Sequence, residues 1–520
     1  MLDIPQTTLP EIWSYHARLA PHKRAISCGN DHLTWGEFGK RMNRIANALA
    51  RLGLRKGDRI AFVMSNTIEH LVLLCGAMKF GACVVPISTL LSPQQIAGLA
   101  NDSGSVLLFT DTGYLGVISQ IRDRLTNVRP DGFFANADVS WCRSIDELIA
   151  NASEEEPDIS LHLDDAMNIL YSSGTTGLPK GVTYSHRARQ IMGMTYAIAM
   201  KFGSTARTLL TTPIYSNGTW ITLWPALLTG GEIVIMPSFA SGPCLEMIES
   251  LGITHVFMVP TQYIRLLEDE RIKRTDFSKL RMCLTAGSIM TVEVKQKVNE
   301  ALGHCLYELY GFSEGGATII SPEEMAERPA SVGRPNPGYE VRILGNDDKQ
   351  LPRNEPGEIA FYGGWVMSGY HGNPEQTERA IWRDERGRTF IRSGDIGKLD
   401  EDGYLYIVDR KKDMIISGGF NVYPSDMEAV LSTHSDVLES AVIGIPHPVW
   451  GETPVGFAIP RSGASIAPEA LMAWANERLA KTQRLSAVIF VEEFPRNALG
   501  KVVKRDLKDH PAIAKMTGSR

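Results

Sequence analysis

Apolar residues in the N-terminal third of the chain switch between a helical and a strand-like spacing. One face of a predicted helix carries apolar residues at intervals of three and four: Met42, Ile45, Leu49 and Leu52. The short apolar run RIAFVM at 59–64 predicts a strand, a helix-like run follows around 67–80, and ACVVPI at 82–87 predicts a second strand. This order indicates strand–helix–strand units.

The same alternation returns between residues 232 and 287. EIVIM at 232–236, THVFMV at 254–259 and LRMCLTAG at 280–287 predict strands, with helices between them over 242–251 and after Pro260. Repeated strand–helix–strand units form parallel sheets covered by helices, and ligands of such sheets bind beyond the carboxyl ends of the strands. TAGS at 285–288 and YGFSE at 310–314 each follow such a run. We therefore expect both segments to line one crevice.

Beyond about residue 330 the chain becomes rich in glycine, proline and turn pairs. The segments SVGRPNPGYEV, PRNEPGEIAFYGG and DEDGYLYIVDR favour short strands joined by tight turns. From residue 411 a mixed segment follows. Helices are predicted near 424–432 and 467–480, and strands over 441–445, 455–459 and 487–491. The charged link DRKKD at 409–413 is typical of a hinge before a C-terminal domain of normal size.

Composition excludes several classes of protein. The 520 residues are 43% hydrophobic and 22% charged, with 53 basic and 59 acidic residues mixed along the chain, which argues against a general nucleic-acid surface. Neither a signal peptide nor a membrane-spanning segment is indicated. The seven cysteines include no CxxC pair, which is typical of reduced cytosolic thiols. A cytoplasmic enzyme is expected, and a homodimer is left open.

The segment YSSGTTGLPK at 171–180 has the glycines, hydroxyls and lysine of a phosphate-binding loop. It does not follow the P-loop pattern, which requires Gly, four residues and then Gly-Lys-Ser/Thr. Glycines let the backbone present N–H groups to phosphate oxygens, and Lys180 adds a positive charge. A conventional P-loop ATPase is therefore disfavoured, and taken alone the segment is also compatible with a polar surface turn.

Five motifs in order resemble the adenylate-forming superfamily, which includes acyl-CoA synthetases, luciferase-like enzymes and peptide-synthetase adenylation domains. They are YSSGTTGLPKG, YGFSE, RSGD, DRKKDMIISGG and PRNALGK, and the resemblance spans about residues 10–508. It implies an α/β fold with a large N-terminal domain over residues 1–409, whose parallel-rich sheets are covered by helices. A small β-barrel-like part over about 330–409, a hinge at 410–412 and a mobile small α+β domain over 413–520 complete it.

The resemblance also implies a nucleotide site for ATP. Tyr310 would offer a flat face to adenine, Ser313 a hydroxyl to a phosphate, and Glu314 a hard oxygen ligand to Mg²⁺. Asp395 would accept hydrogen bonds from the ribose hydroxyls, and Arg410 would contact the ribose or a phosphate. The full set of implied ATP- and AMP-binding residues is Ser172, Ser173, Gly174, Thr175, Thr176, Gly177, Lys180, Gly287, Ser288, Tyr310, Gly311, Asp395 and Arg410.

Lys501, in PRNALGK, resembles the lysine that reaches the reacting carboxylate and the α-phosphate. A carboxylate attacking ATP creates a strongly negative transition state, which a preorganised cation stabilises. Adenylation needs this lysine in the site, whereas the second step needs room for a long thiol, so motion of the last domain would serve both. Lys412 matches the hinge position, and Gly418, Gly419 and Phe420 match the coenzyme A channel.

The acyl pocket is indicated in outline by Tyr215, Ser216, Asn217, Trp220 and Gly315. Its aromatic residues favour an aryl or cinnamic acid over a long chain. The chain departs from the family pattern in four places. Ser313 stands where threonine is usual, so the hydroxyl is kept. Ser216 stands where histidine is frequent, Phe420 stands where glutamate is frequent, and KTQRLS at 481–486 lacks the usual Tyr-Lys-x-Pro.

The sequence thus predicts an ATP-dependent carboxylic acid:CoA ligase that forms an acyl-adenylate. Its expected reactants and cofactor are ATP, Mg²⁺, coenzyme A and a small carboxylic acid, either aromatic or of short to medium chain length. A long-chain fatty-acyl ligase and an adenylating enzyme with a carrier-protein acceptor are alternatives. A non-catalytic nucleotide-binding protein is disfavoured because Glu314, Asp395, Arg410 and Lys501 are all present.

Overall fold

The computed structural model describes residues 7–137, 139–172, 179–417, 420–496 and 502–517. The chain divides into two compact units. The first unit comprises Met1–Val341 and Phe361–Ile391, and the second comprises Arg342–Ala360 and Arg392–Arg520. Each unit has apolar core residues of its own.

Helices and strands alternate through most of the described chain. The helices are α1 (Leu9–Leu19), α2 (Trp35–Arg51), α3 (Ile68–Phe80), α4 (Pro93–Asp102), α5 (Leu115–Ile121), α6 (Ile145–Ala150), α7 (His186–Ala199), α8 (Asn217–Thr229), α9 (Ser241–Ser250), α10 (Pro260–Leu267), α11 (Val292–Leu302), α12 (Pro322–Glu327), α13 (Pro374–Arg379), α14 (Pro424–Ser432), α15 (Pro468–Asn476), α16 (Lys504–Leu507) and α17 (Pro511–Thr517). The strands are β1 (Arg24–Cys28), β2 (Asp31–Thr34), β3 (Arg59–Val63), β4 (Cys83–Pro86), β5 (Leu107–Thr110), β6 (Phe133–Phe134), β7 (Ala166–Ser172), β8 (Lys180–Ser185), β9 (Arg207–Leu210), β10 (Glu232–Ile235), β11 (His255–Met258), β12 (Met282–Ala286), β13 (Leu306–Phe312), β14 (Gly315–Ile320), β15 (Arg334–Pro335), β16 (Glu340–Leu344), β17 (Gly357–Tyr362), β18 (Gly369–Tyr370), β19 (Ile381–Arg383), β20 (Thr389–Leu399), β21 (Leu405–Arg410), β22 (Ile415–Ser417), β23 (Phe420–Val422), β24 (Val437–His447), β25 (Gly451–Pro460) and β26 (Ala487–Phe490).

Two large sheets organise the first unit. The nine-stranded sheet has the order β15-β14-β13-β12-β11-β9-β10-β1-β2, and its inner strands from β13 to β1 run parallel. The seven-stranded sheet has the order β18-β8-β7-β4-β3-β5-β6, with parallel pairing from β7 to β6. Parallel strands joined by helices are what the alternating apolar pattern predicts, so the predicted α/β class is confirmed.

One large apolar core contains residues of both sheets and of several helices of the first unit. It contains residues of the nine-stranded sheet such as Ile233, of the seven-stranded sheet such as Phe62, and of α2, α3 and α8 such as Leu49, Leu74 and Trp224. Helix α3 is buried on every side from His70 to Phe80, which explains its nearly continuous apolar sequence.

Helix starts in this unit follow local capping chemistry. The Thr34 side chain accepts a hydrogen bond from the Glu37 backbone N–H, and the Glu37 carboxylate accepts one from the Thr34 backbone N–H at 2.8 Å. The Thr34 backbone N–H and hydroxyl both donate to the Glu37 carboxylate, and they lower the pKa of Glu37 because they favour its charged form. This capping box starts α2 immediately before the apolar face that the sequence predicts.

The second unit contains a five-stranded sheet of order β23-β22-β25-β24, with β26 paired to β25. Helices α14 and α15 contribute Met427 and Leu471 to its apolar core. The turn-rich region forms another five-stranded sheet, of order β16-β17-β20-β19 with β21 paired to β20, and the division between the units cuts its strands. The predicted helices and strands of the C-terminal segment are present, although β24 and β25 are longer than expected and α15 ends earlier, at Asn476.

The compact units and the predicted domains describe different properties. The second unit includes 342–360 and 392–409 in addition to the C-terminal segment. The prediction of a hinge at 410–412 concerns motion, and it stays a prediction.

Candidate active site

The end of the phosphate-loop motif lies in an antiparallel hairpin of the seven-stranded sheet. Strands β7 and β8 pair so that Ser172 is opposite Lys180. The intervening predicted loop residues Ser173, Gly174, Thr175, Thr176 and Gly177 lie outside the described residues. Lys180 is half-buried at the start of β8. The hairpin thus places a lysine at the base of the loop that the sequence assigns to phosphate.

Glu314 is held in the turn between β13 and β14 of the nine-stranded sheet. The Met367 backbone N–H donates to the Glu314 carbonyl oxygen at 2.8 Å, and the Tyr184 hydroxyl donates to the carbonyl oxygen of Ser313. On the side chain, the Tyr370 hydroxyl donates to Oε1 of Glu314 at 2.6 Å. The turn belongs to the nine-stranded sheet, and these hydrogen bonds connect it to the seven-stranded sheet, which contains Tyr184 in β8 and Tyr370 in β18.

Tyr370 joins the two charged residues, and the sequence motifs do not include it. Lys180 Nζ lies 4.9 Å from the centroid of the Tyr370 ring, within cation–π range, while the hydroxyl of the same ring binds Glu314. The pairing of β18 with β8, Tyr370 opposite Val182, sets this position. Its local signal is no more than an aromatic residue between glycines in GYHGNP. The structure thus brings Lys180 to the ring and Glu314 to the hydroxyl of one tyrosine.

Replacing Tyr370 by phenylalanine is expected to lower the adenylation rate about tenfold, because it removes a partner that orients the Glu314 carboxylate. Burial and the neighbouring Glu314 both raise the pKa of Tyr370, so its hydroxyl stays a donor at neutral pH. Pyrophosphate release should recover partly at high Mg²⁺ concentration. Tyr15→Phe, at an exposed position, is the control. A Tyr370→Phe enzyme with unchanged rate and Mg²⁺ response would contradict this role.

The carboxylate of Glu314 fits a magnesium ion held mainly by substrate. Among the residues that the structure describes, no group of three or more His, Cys, Asp or Glu side chains has metal-binding geometry. Mg²⁺ commonly uses one or two protein carboxylates and completes its shell with water and substrate phosphates. A single oriented carboxylate, with a lysine on the same tyrosine, has the chemistry of such a site.

The predicted adenine segments lie at one edge of the nine-stranded sheet. Strands β12 and β13 are parallel neighbours, with Ala286 opposite Leu309. Gly287 and Ser288 therefore follow β12 beside the point where Tyr310 and Gly311 end β13. The two segments are thus neighbours at the carboxyl ends of β12 and β13, although Tyr310 to Phe312 belong to β13 itself rather than following it. That they line one crevice stays a prediction.

Gly315 occupies a backbone conformation and a space that no larger residue fits. Its φ is +136°, and a Cβ there would lie 2.8 Å from Val366 Cα. We expect Gly315→Ala to lower the free energy of unfolding by about 3 kcal/mol through strain and collision. Gly303→Ala is the matched control, since Gly303 has φ +80° but open space around it. Its cost should be about 1 kcal/mol.

Urea unfolding followed by tryptophan fluorescence measures both variants. Equal losses of stability for Gly315→Ala and Gly303→Ala would show that the close approach to Val366 carries no cost.

Four of the five predicted acyl-pocket residues lie at the start of α8, and the fifth, Gly315, begins β14. Tyr215 is partly exposed, and Ser216 is the buried residue that precedes the helix. Asn217 accepts a hydrogen bond from Arg189 Nη1 at 3.0 Å. The Trp220 ring is fully buried, and its indole N–H donates to the carbonyl oxygen of Ile214 at 2.7 Å. Tyr215 and Asn217 are thus less enclosed than Trp220, which belongs to the apolar core.

In the second unit, Asp395 and Arg410 face each other across two antiparallel strands. They are opposite in the register of β20 and β21, and Arg410 Nε lies 3.4 Å from Asp395 Oδ1. The preceding Gly394 has φ +71°, which lets the backbone N–H of Asp395 approach the Ser393 hydroxyl at 3.0 Å. A mostly buried carboxylate beside an arginine is suited to two vicinal hydroxyls.

The remaining predicted residues follow β21. Lys412 lies in the turn between β21 and β22, in which the Asp413 backbone N–H donates to the Arg410 carbonyl oxygen at 3.0 Å. Phe420 begins strand β23. Gly418, Gly419 and Lys501 lie outside the described residues.

Comparison with known proteins decides the family. The family model described as AMP-binding enzyme matches residues 13–371, and the model of the AMP-binding enzyme C-terminal domain matches residues 426–501. The chain belongs to the AMP-binding enzyme family. The resemblance drawn from the five motifs is therefore confirmed.

Curated relatives match this AMP-binding enzyme over nearly its whole length. It is 33% identical to the feruloyl-CoA synthase of Amycolatopsis sp, with 95% of this chain and 96% of the relative covered. It is 31% identical to the long-chain-fatty-acid–CoA ligase FadD13 of Mycobacterium tuberculosis, with 92% and 93% covered. The ATP-bound crystal structure of MatB from Rhodopseudomonas palustris has a TM-score of 0.86 and 29% identity, with 97% of this chain and 99% of that chain covered.

These matches confirm that the chain is an adenylate-forming ligase of the acyl-CoA synthetase type. ATP, Mg²⁺ and coenzyme A are the standard reactants and cofactor of this family. No helix among the described residues combines the length and apolar character needed to cross a bilayer.

Proposed function

We propose that this AMP-binding enzyme joins an aromatic carboxylic acid to coenzyme A in two steps. In the first, an oxygen of the acid attacks the α-phosphorus of ATP, and pyrophosphate leaves. In the second, the thiol sulfur of coenzyme A attacks the acyl carbonyl carbon, AMP leaves, and the thiol proton is lost. The meeting of Lys180 and Glu314 on Tyr370 carries the proposal, because it brings a carboxylate near the cation that ends the glycine-rich motif.

Positive charge has to balance the triphosphate in the first step. We assign Lys180 and the residues 172–177 to the β- and γ-phosphates, and the Ser313 hydroxyl to a phosphate oxygen. Glu314 would hold Mg²⁺, which when bound neutralises phosphate charge. Lys501 would supply a further cation at the reacting carboxylate and the α-phosphate. These charges act most strongly where negative charge develops in the transition state.

Nucleoside recognition is assigned to two groups of residues, each by its own chemistry. Tyr310, Gly311, Gly287 and Ser288 would bind adenine at the edge of the nine-stranded sheet. The carboxylate of Asp395 would accept hydrogen bonds from the two ribose hydroxyls, and Arg410 beside it would contact the ribose or a phosphate.

The second step needs an entry for the thiol. We propose that residues 413–520 move as a body about the hinge at Lys412 between the two steps, and that Gly418, Gly419 and Phe420 line the coenzyme A channel. Because 481–486 lack the usual Tyr-Lys-x-Pro, no coenzyme A contact is assigned to this segment.

An aromatic acid is favoured by the acyl pocket and by one relative. Tyr215 offers a partly exposed ring at the start of α8, and the feruloyl-CoA synthase is among the most similar relatives. FadD13, named for long-chain fatty acids, supports the alternative of a fatty-acyl ligase. The two candidates differ in which acid gives the higher kcat/KM.

A panel of acids assayed for pyrophosphate release, with and without coenzyme A, tests the proposal. We expect cinnamate and benzoate derivatives to be preferred over palmitate, with mass spectrometry detecting acyl-AMP without coenzyme A and acyl-CoA with it. Preference for palmitate would replace the aromatic class by the fatty-acyl alternative. Acyl-AMP that is never converted to acyl-CoA would indicate another acceptor, such as a carrier-protein thiol. A cytoplasmic location and a homodimer stay predictions.

A further inference from the structure

Arg189 is buried without a carboxylate partner among the residues that the structure describes. It lies on α7 and is 0% exposed. Its guanidinium is placed between two aromatic rings, with Cζ 3.9 Å from the Tyr184 ring centroid and 4.8 Å from that of Trp220. Burial lowers the pKa of Arg189 to about 10, so the group remains a cation at neutral pH.

The hydrogen-bonding partners of the Arg189 guanidinium are neutral, and some N–H groups of this cluster have no acceptor. Arg189 Nε donates to Asn168 Oδ1 at 2.9 Å, and Nη1 donates to Asn217 Oδ1 at 3.0 Å. Nη1 also lies 3.4 Å from the Met192 sulfur. Nη2 of Arg189 and Nδ2 of Asn168 are both buried and have no hydrogen-bond partner in the described part of the chain. Both unpaired groups, one on Arg189 and one on Asn168, are hydrogen-bond donors. The site therefore lacks an acceptor.

A buried cation without an opposite charge lowers the stability of the folded protein. Buried charges in proteins are normally paired, since removal from water is compensated only by an opposite charge and by hydrogen bonds. Two aromatic faces recover part of that cost, because their negative quadrupoles attract the guanidinium. They do not satisfy the free N–H groups. An anion with two acceptor oxygens would satisfy both the charge and the donors.

The position of Arg189 identifies where that anion would come from. It contacts Asn217 and Trp220, two of the five residues assigned to the acyl pocket. Tyr184, on its other face, donates to the carbonyl oxygen of Ser313, next to Glu314. The guanidinium thus lies against the residues that would surround the acid rather than at the unit's outer surface.

We propose that Arg189 binds a second carboxylate on the acid substrate, so that the preferred substrate is an aromatic dicarboxylic acid. This inference rests on the proposed function. The reacting carboxylate is a poorer partner, because adenylation converts it into an uncharged acyl group and would leave the arginine unpaired in the intermediate. A second carboxylate keeps its charge through both steps.

A matched pair of acids tests this assignment: 3-phenylpropanoate and its diacid 3-(2-carboxyphenyl)propanoate, with the 3- and 4-carboxyphenyl isomers to find the position. The readout is the ratio of kcat/KM for the best diacid to that for the monoacid, from pyrophosphate release. The wild type should favour a diacid, and Arg189→Gln should lower the ratio about 10²-fold, the loss typical of hydrogen bonds to a charged group. Arg189→Lys should lower it less, since the charge remains without the planar fork.

Arg187→Gln is the matched control. It lies two residues earlier on the same helix, is exposed, and pairs with Asp164 at 2.7 Å. Its ratio should equal that of the wild type. Thermal unfolding supplies a second measurement. The same concentration of the best diacid should raise the unfolding temperature of the wild type more than that of Arg189→Gln, because only the arginine pairs with the second carboxylate.

Three results would overturn the inference. The first is a wild type that prefers the monoacid to every diacid. The second is an equal fall for monoacid and diacid in Arg189→Gln, which would place Arg189 at the reacting carboxylate or in a structural role. The third is an equal rise in unfolding temperature for the wild type and Arg189→Gln at the same diacid concentration. In each of these the enzyme still activates an acid. If the wild type released no pyrophosphate with any acid, the result would contradict the proposed function as well.

Discussion

Replacing Lys501 by alanine is expected to lower the rate of acyl-adenylate formation by about 10²–10³-fold, the loss typical of removing one preorganised charge from a transition state. Attack of the carboxylate on ATP brings two negative groups together. Water would have to reorient to stabilise this charge, whereas a fixed cation is already in place. Acid-dependent exchange of pyrophosphate into ATP measures this step. Reaction of coenzyme A with chemically prepared acyl-AMP should change much less in the same variant, because Lys501 is assigned to the first step alone.

Lys508→Ala is the control for this experiment. Lys508 is an exposed lysine seven residues further along the same C-terminal segment, and Lys504 between them pairs with Glu428 at 2.7 Å. A basic tail that acts only through its net charge would make Lys508→Ala as damaging as Lys501→Ala. If both half-reactions slowed equally in Lys501→Ala, the lysine would have no role specific to adenylation.

Replacing Glu314 by glutamine is expected to lower the adenylation rate by about 10²–10³-fold and to raise the Mg²⁺ concentration needed for half-maximal rate. The amide keeps the size of the side chain and can still accept from the Tyr370 hydroxyl, so the turn between β13 and β14 should remain in place. The loss of charge removes a hard anionic oxygen from the metal. Pyrophosphate release measured across a Mg²⁺ titration gives both quantities.

Glu300→Gln, at a surface position in α11, is the control and should leave the titration unchanged. Near-normal activity of Glu314→Gln at low Mg²⁺ concentration would show that the carboxylate does not serve the metal. Comparison with Tyr370→Phe separates the ligand from the residue that orients it, since only the loss in Tyr370→Phe should recover substantially when Mg²⁺ is in excess.

Local sequence is sufficient to predict the helices and strands between about 42 and 87, 232 and 287, and 424 and 491. The apolar run of α3 and the capping pair Thr34 and Glu37 each contain the physical reason for their element within a few residues. Element ends are less well predicted. Strand β24 runs from Val437 to His447, well beyond the predicted 441–445, because its length is set by pairing with β25.

Candidate chemistry is visible in the sequence where a motif is continuous. Lys180, Glu314, Asp395 and Arg410 each lie within such a motif, and the tertiary structure pairs Asp395 with Arg410 directly. Tyr370 has no comparable signal, because a tyrosine in a turn has many uses. Only the pairing of β18 with β8 brings it to Lys180 and Glu314.

The sequence by itself determined the alternation of helices and strands and the family to which the chain belongs, since both reside in short-range patterns and ordered motifs. Tertiary structure alone decided which distant groups meet. Arg189 is an ordinary polar residue of a helix in the sequence, yet packing encloses its charge between Tyr184 and Trp220. The reason is that burial and pairing depend on the three-dimensional neighbours of a side chain, and these come from segments whose meeting no local pattern encodes.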